Sequence, residues 1–204
     1  AGYLTNSPEG DIWNIVNIDG SWFHVDVTHD DPVYDKIGRA KHYYFLKSTS
    51  AFQSTALGDT NDKSHTSDTD SWSYSVNASC TNCDYDNAFW NKVNSSIYKK
   101  GTELFYLDSS NPGVIKLLKG ILGTGGSITN TTVIAEKSAQ WWKAWDGNGY
   151  WSNFSWLSSY NGYLYFNGPL NIYRISYDGG ELVPIYSYSS NDGYLYGCNV
   201  LSDI

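Results

Sequence analysis

The chain has 204 residues, a formal net charge of −8 and 41% hydrophobic residues, enough apolar material for one or two cored domains and too much for a disordered chain. The acidic balance, with no Lys/Arg cluster, excludes nucleic acid and anionic membrane as main partners, and no apolar run reaches the length of a spanning helix. Aromatic residues make up 17%, with 18 Tyr and 9 Trp, a bias toward strands and toward surfaces that stack on ligands.

Gly2-Tyr3-Leu4 reads as the end of a strand, followed by a turn at Pro8-Glu9-Gly10. Residues 11–31, DIWNIVNIDGSWFHVDVTHDD, read as a β-hairpin. Asp19-Gly20 supplies the two positive-φ positions of a type I′ turn, and Ile, Val, Trp and Phe fill the flanks. That loop puts Ile18 opposite Ser21, Val16 opposite Phe23, Trp13 opposite Asp26 and Asp11 opposite Thr28. Alternation then sorts two faces. Ile12, Asn14, Val16, Ile18, Phe23, Val25 and Val27 form a mostly apolar face, expected to lie on a core. Asp11, Trp13, Ile15, Asn17, Trp22, His24, Asp26 and Thr28 form the other. Ionisable groups beside aromatic rings on a rigid hairpin mark a candidate site, with Asp26, Asp11 and His24 as its chemistry and Trp13 and Trp22 as binding surfaces.

Trp13-Asn14, Asp19-Gly20, Trp22-Phe23, Val25 to Thr28, Asp30-Asp31-Pro32 and Tyr44-Phe45-Leu46 together resemble the second half of a bacterial transglutaminase-like domain, of the papain-like Cys-His-Asp superfamily. The resemblance covers about the first fifty residues. It implies that Asp26 is the carboxylate that orients the catalytic imidazole. The family's His falls on Asp11, and His29 stands where the family usually has Trp. The family's nucleophilic Cys lies upstream, at the start of a helix, so the resemblance implies a chain that begins mid-domain, as a fragment or mature product. A thiolate, an imidazole and a carboxylate are all needed for that chemistry. With only the carboxylate kept, the site is expected to be catalytically incompetent as it stands. An acyltransferase or cysteine peptidase with its Cys upstream is the alternative, with His24 as a substitute base. Asp11 and Asp26 as a glycoside-cleaving pair is a third reading.

Tyr43 to Leu46 is expected as a short strand. Residues 49–82 are a polar crossing rich in Ser, Thr, Asp and Asn, with His65 inside it; a surface loop is the expectation there, with neither calcium nor another metal. Cys80-Thr-Asn-Cys83 has metal or redox spacing, but no second pair completes a zinc site. With Cys198 it is read as a local disulfide or as free thiols. Residues 84–93 read as a short helix capped by Asp84. Tyr85 to Trp90, Tyr-Asp-Asn-Ala-Phe-Trp, extends the resemblance to bacterial surface proteins.

From Ile97 a repeat is visible: GTELFYLDSSNPGVIKLL at 101–118, NGYLYFNGPLNIYRISYDGGELVPIY at 161–186 and DGYLYGCNVLSDI at 192–204. Each copy opens on a Gly turn followed by an alternating aromatic/aliphatic strand, the pattern of a β-meander or propeller-like repeat. The third copy stops at Ile204, which implies a longer parent or a small module. Gly120 to Gly126 lacks the Lys-Ser/Thr of a phosphate cradle. Trp141, Trp142, Trp145, Trp151 and Trp156 lie close together, as a carbohydrate or peptide platform or as core packing.

The expected fold is mainly β, α+β at most. It has a partial transglutaminase-like sheet (1–48), a polar crossing with a short helix (49–95) and an aromatic-rich β-repeat module (96–204). The expected function is a noncatalytic part of a secreted or cell-surface protein, with a binding or adhesion module for a protein or glycan and no cofactor. A carbohydrate-binding module is a further alternative.

Overall fold

A computed structural model describes residues 2–4, 12–31, 41–53, 72–74, 79–108, 111, 113–138, 141–143, 149–151, 155–189, 195, 198, 200 and 201. Residues 2–4, 12, 72–74, 141–143, 149–151, 155 and 156 are described by backbone alone. The protein is mainly β. Among the described residues no helix is long and apolar enough to cross a membrane. Two compact units divide the chain: 1–31, 41–92 and 124–127 form the first, and 32–40, 93–123 and 128–204 the second.

The first unit is built on β1 (Gly2–Leu4), β2 (Ile12–Ile18), β3 (Ser21–Val25), α1 (Val27–Asp30), β4 (Phe45–Lys47), α2 (Thr49–Phe52) and β5 (Trp72–Tyr74). Its antiparallel sheet has the order β4-β3-β2-β1-β5. The hairpin forms as its turn chemistry requires: Asp19 and Gly20 have φ of 49° and 86°, and Ile18 faces Ser21 while Val16 faces Phe23.

The ladder ends sooner than the sequence suggests, at Asn14 opposite Val25. Trp13 pairs instead with Gly2 on β1, and Asp26 leaves the strand to cap α1. An Asp side chain gains more by accepting helix N–H groups than by standing on a strand. Val27, expected on the core face, is therefore turned out and 64% exposed. Because β2 and β3 are inner strands, both faces of the hairpin carry buried rings, with Phe23 on one side and Trp13 and His24 on the other.

Tyr43 and Tyr44 lie in a turn, and the strand runs from Phe45 to Lys47. The expected helix at 84–93 is a set of turns followed by a 3₁₀ segment, Phe89–Lys92. Its bonds are of i→i+3 type: Asp86 N–H to Cys83, Ala88 N–H to Tyr85 and Asn91 N–H to Ala88. The Asp86 carbonyl, which an α-helix would give to residue 90, accepts from Lys47 Nζ and Asn91 Nδ2, each at 2.8 Å. Tertiary hydrogen bonds thus displace the helical one.

Gly126 closes this unit against the same segment. A Cβ there would stand 2.5 Å from Ala88 Cβ and 2.6 Å from the Trp90 ring, at φ +69°. Gly126→Ala is expected to cost about 3 kcal/mol, overpacking adding to the left-handed backbone penalty. Urea unfolding checks it, and a variant with wild-type stability would refute this packing.

The second unit contains β6 (Tyr98–Lys100), β7 (Glu103–Asp108), β8 (Val114–Leu122), β9 (Ile128–Ser138), β10 (Trp141–Lys143), β11 (Gly149–Trp151), β12 (Ser155–Tyr160), β13 (Tyr163–Asn167), β14 (Asn171–Ser176) and β15 (Gly179–Ser187). β6 to β9 form one four-stranded meander and β12 to β15 another, with β10–β11 a separate hairpin. The first two sequence copies thus fall on corresponding strands, β7 and β13, each entered through a two-residue turn.

The two meanders share one core. Phe105, Leu107, Ile115 and Leu117 of the first pack with Leu164, Phe166, Tyr173 and Ile175 of the second. The register gives this core an asymmetry. Phe105 is the third residue of β7, and its counterpart on β13 is Tyr165, yet the neighbours Leu164 and Phe166 point inward. The meanders therefore bury opposite faces, stacked in the same sense rather than related by a two-fold axis.

The opposite face of the second meander carries the cross-strand neighbours Tyr160 and Tyr163, then Ser158, Tyr165, Arg174 and Val183.

Candidate functional site

Three hydrogen-bonded groups converge at the end of β3. Asp26 is fully buried. Its Oδ1 accepts from the backbone N–H of Thr28 at 2.9 Å and of His29 at 3.1 Å. Its Oδ2 lies 2.8 Å from His29 Nδ1. A carboxylate only accepts, so that nitrogen carries the proton. The His29 side chain is 22% exposed and meets Tyr44 edge-on at 5.6 Å between ring centres.

The imidazole beside Asp26 is thus His29, three residues further along, and not His24. The signal was present: Asp followed at i+3 by His, across a turn that Asp caps, brings the two side chains to one side. Reading Asp26 as a strand residue hid it.

His24 is fully buried one strand position before Val25. Trp13 Nε1 donates to its Nδ1 at 2.9 Å. The ring's proton therefore sits on Nε2, 3.1 Å from Thr49 Oγ1, and the ring stacks on Phe52 at 4.5 Å. Its basic nitrogen is engaged by an indole, so His24 is placed as a neutral core histidine. Trp13 is 2% exposed, packed on Phe52 at 5.3 Å. Trp22 stands opposite Asn17 and is half-buried. Asp11, Trp145 and His65 lie outside the described residues.

Behind the pair lies a buried charge cluster that sequence reasoning missed. Asp30 Oδ1 accepts the Tyr44 N–H at 2.9 Å. Burial raises its carboxyl to about 7, helped by the neighbouring Asp26 charge and opposed by the Tyr44 and Tyr43 N–H groups and by Lys47. Lys47 is fully buried, and burial lowers its ammonium to about 8 against the attraction of Asp86 and Asp30. Asp86 in turn accepts from Ser48 N at 2.8 Å and Ser48 Oγ at 2.6 Å. Spacing could not find this cluster, because Asp30, Lys47 and Asp86 come from three separate segments.

Cys80 is buried, which pushes its thiol up to about 11, and Cys83 is exposed. Burial likewise raises Cys198 to about 11. All three are free, and burial moves Cys80 and Cys198 away from the thiolate form a nucleophile needs. Among the described residues no group of three His, Cys, Asp or Glu side chains could hold a metal ion.

Backbone register sets Trp141 opposite Trp151 and Trp142 opposite Tyr150 on the β10–β11 hairpin. On the second meander, Tyr160 and Tyr163 are 44% and 37% exposed, and the Arg174 guanidinium lies over the Tyr163 ring at 4.6 Å. That tyrosine–arginine face was not singled out from the sequence, where the tyrosines read as a repeat pattern. No protein-family model matches this chain, and neither a curated protein nor a solved structure does.

Proposed function

We propose that this chain is a ligand-binding part of a secreted or cell-surface protein, its first unit a transglutaminase-like remnant without thiol chemistry and its second unit the binding module. The observation that carries the reading is the outward face of the second meander. Tyr160 and Tyr163 stand as exposed cross-strand neighbours, with Arg174 over the second ring.

Adjacent tyrosines on a sheet make a flat platform with polar edges, the chemistry that stacks on the apolar face of a sugar ring while hydroxyls bond at the rim. Arg174, held by the ring, adds a fork of donors. A glycan is therefore the favoured ligand class. The small share of charge on this face fits a neutral sugar better than a polyanion.

Calorimetric titration with a panel of neutral oligosaccharides tests the reading. The double variant Tyr160→Ala/Tyr163→Ala should weaken the best binder at least tenfold, about 1.4 kcal/mol. Its stability should hold, since both rings are half open to solvent. A wild-type chain that binds none of the panel, or a double variant that binds as tightly, would sink it.

A further inference from the structure

Three hydroxyl groups from separate strands meet inside the second unit. Tyr98 opens β6, Ser159 lies on β12, and Tyr177 sits in the turn between β14 and β15. The Tyr98 and Tyr177 hydroxyl oxygens are 3.4 Å apart, and Ser159 Oγ lies 2.5 Å from the Tyr177 hydroxyl. The two phenol rings are parallel to within 6°, with centres 6.0 Å apart. Both rest on Phe105, at 6.1 and 5.4 Å, and Lys100 Nζ covers the Tyr177 ring at 4.1 Å. Packing therefore fixes the pair. The carbon that bears a phenol hydroxyl is flanked by its ortho carbons, so hydroxyls that meet bring ortho carbons of the two rings to neighbouring positions.

We propose that Tyr98 and Tyr177 are an oxidative cross-linking site, where hydrogen peroxide and a haem peroxidase join the two rings into a dityrosine that ties β6 to the β14–β15 turn. Each phenol gives up one electron and its hydroxyl proton. The two phenoxyl radicals then pair their electrons in a new bond between ortho carbons. The hydrogen on each joined carbon moves to the oxygen of its own ring and restores two phenols. The two electrons and two protons released reduce one hydrogen peroxide to two waters, so no other reductant or oxidant is needed.

Tyr98 is the entry point for oxidation. It is half-buried, whereas Tyr177 is buried. Hydrogen bonds with Ser159 and Tyr177, aided by the Lys100 charge, lower the Tyr98 pKa against the effect of burial, while burial raises that of Tyr177. A phenol closer to its phenolate loses an electron more readily. Ser159 alternates with Ser158 and Tyr160 along β12, so the pair stands on the other side of the sheet from the proposed glycan face and does not depend on that reading.

The test treats the full chain, dilute enough to suppress cross-links between molecules, with hydrogen peroxide and a haem peroxidase. The monomer fraction should gain the blue fluorescence of dityrosine and lose the mass of two hydrogens, and peptide mapping should join Tyr98 to Tyr177. Tyr98→Phe and Tyr177→Phe keep the rings in the core, and each should abolish the product. Tyr186→Phe breaks up another close pair, Tyr186 and Tyr188 at 6.4 Å, and should cross-link like the wild type. The bridge closes a sequence separation of 79 residues, so the cross-linked monomer should unfold at higher urea than the untreated chain. A monomer without dityrosine, a product that maps to other tyrosines, or a Tyr98→Phe chain, folded by circular dichroism, with full yield would overturn the proposal. So would a Tyr98–Tyr177 product that unfolds at the same urea as the untreated chain.

Discussion

Asp30→Asn removes a pH dependence from the first unit: between pH 4 and pH 7.5 the variant gains about 3 kcal/mol of stability relative to the wild type. The carboxyl titrates at about 7 in the folded chain against 3.8 for the free side chain. Above pH 4 the unfolded chain releases this proton while the folded chain keeps it. The folded state then binds more protons, so stability falls as pH rises, and the loss is nearly complete by pH 7.5. Asparagine keeps the acceptor for the Tyr44 N–H and carries no charge to desolvate.

Lys47 acts in a different window. With its folded ammonium at about 8 and the free value at 10.5, it sheds its proton first in the folded state, and stability rises from pH 8 to pH 10.5. Urea melts of both chains at pH 4 and 7.5 isolate Asp30. Curves that stay parallel across that range would show that its carboxyl ionises normally.

Phe105→Ala should cost about 4 kcal/mol, the loss typical of a deleted core phenyl group. Its ring is fully buried in the core shared by the two meanders. It lies 5.4 Å from Tyr177 and 6.1 Å from Tyr98, with Lys119 Nζ over it at 5.8 Å. Tyr177 and Tyr98 are themselves stacked at 6.0 Å, so the cavity would open inside a ring cluster that cannot collapse cheaply. Urea unfolding followed by near-ultraviolet dichroism measures it. A cost under about 1 kcal/mol would mean that this core is loosely packed.

Some of this architecture was legible in the chain. Asp19-Gly20 fixed the turn and the register of β2 with β3, since few residues tolerate two successive positive φ values. The Gly-led copies at 101 and 162 marked the same strand of two meanders. Where the reading failed, a local signal met a competing partner. Asp26 sat in a plausible strand pattern until its capping bonds ended β3. Residues 84–93 had helical spacing until Lys47 and Asn91 took the Asp86 carbonyl.

Turns, strand periodicity and the mainly β class were determined by the sequence itself, because they depend on φ preferences and alternation within a few residues. The tertiary structure alone decided which imidazole met Asp26, that Asp30, Lys47 and Asp86 share one buried cluster, and that the meanders stack through opposite faces. Each of those outcomes is a contact set by where strands end and which face is covered, and a one-residue change in a strand's end reverses the side on which every later group falls.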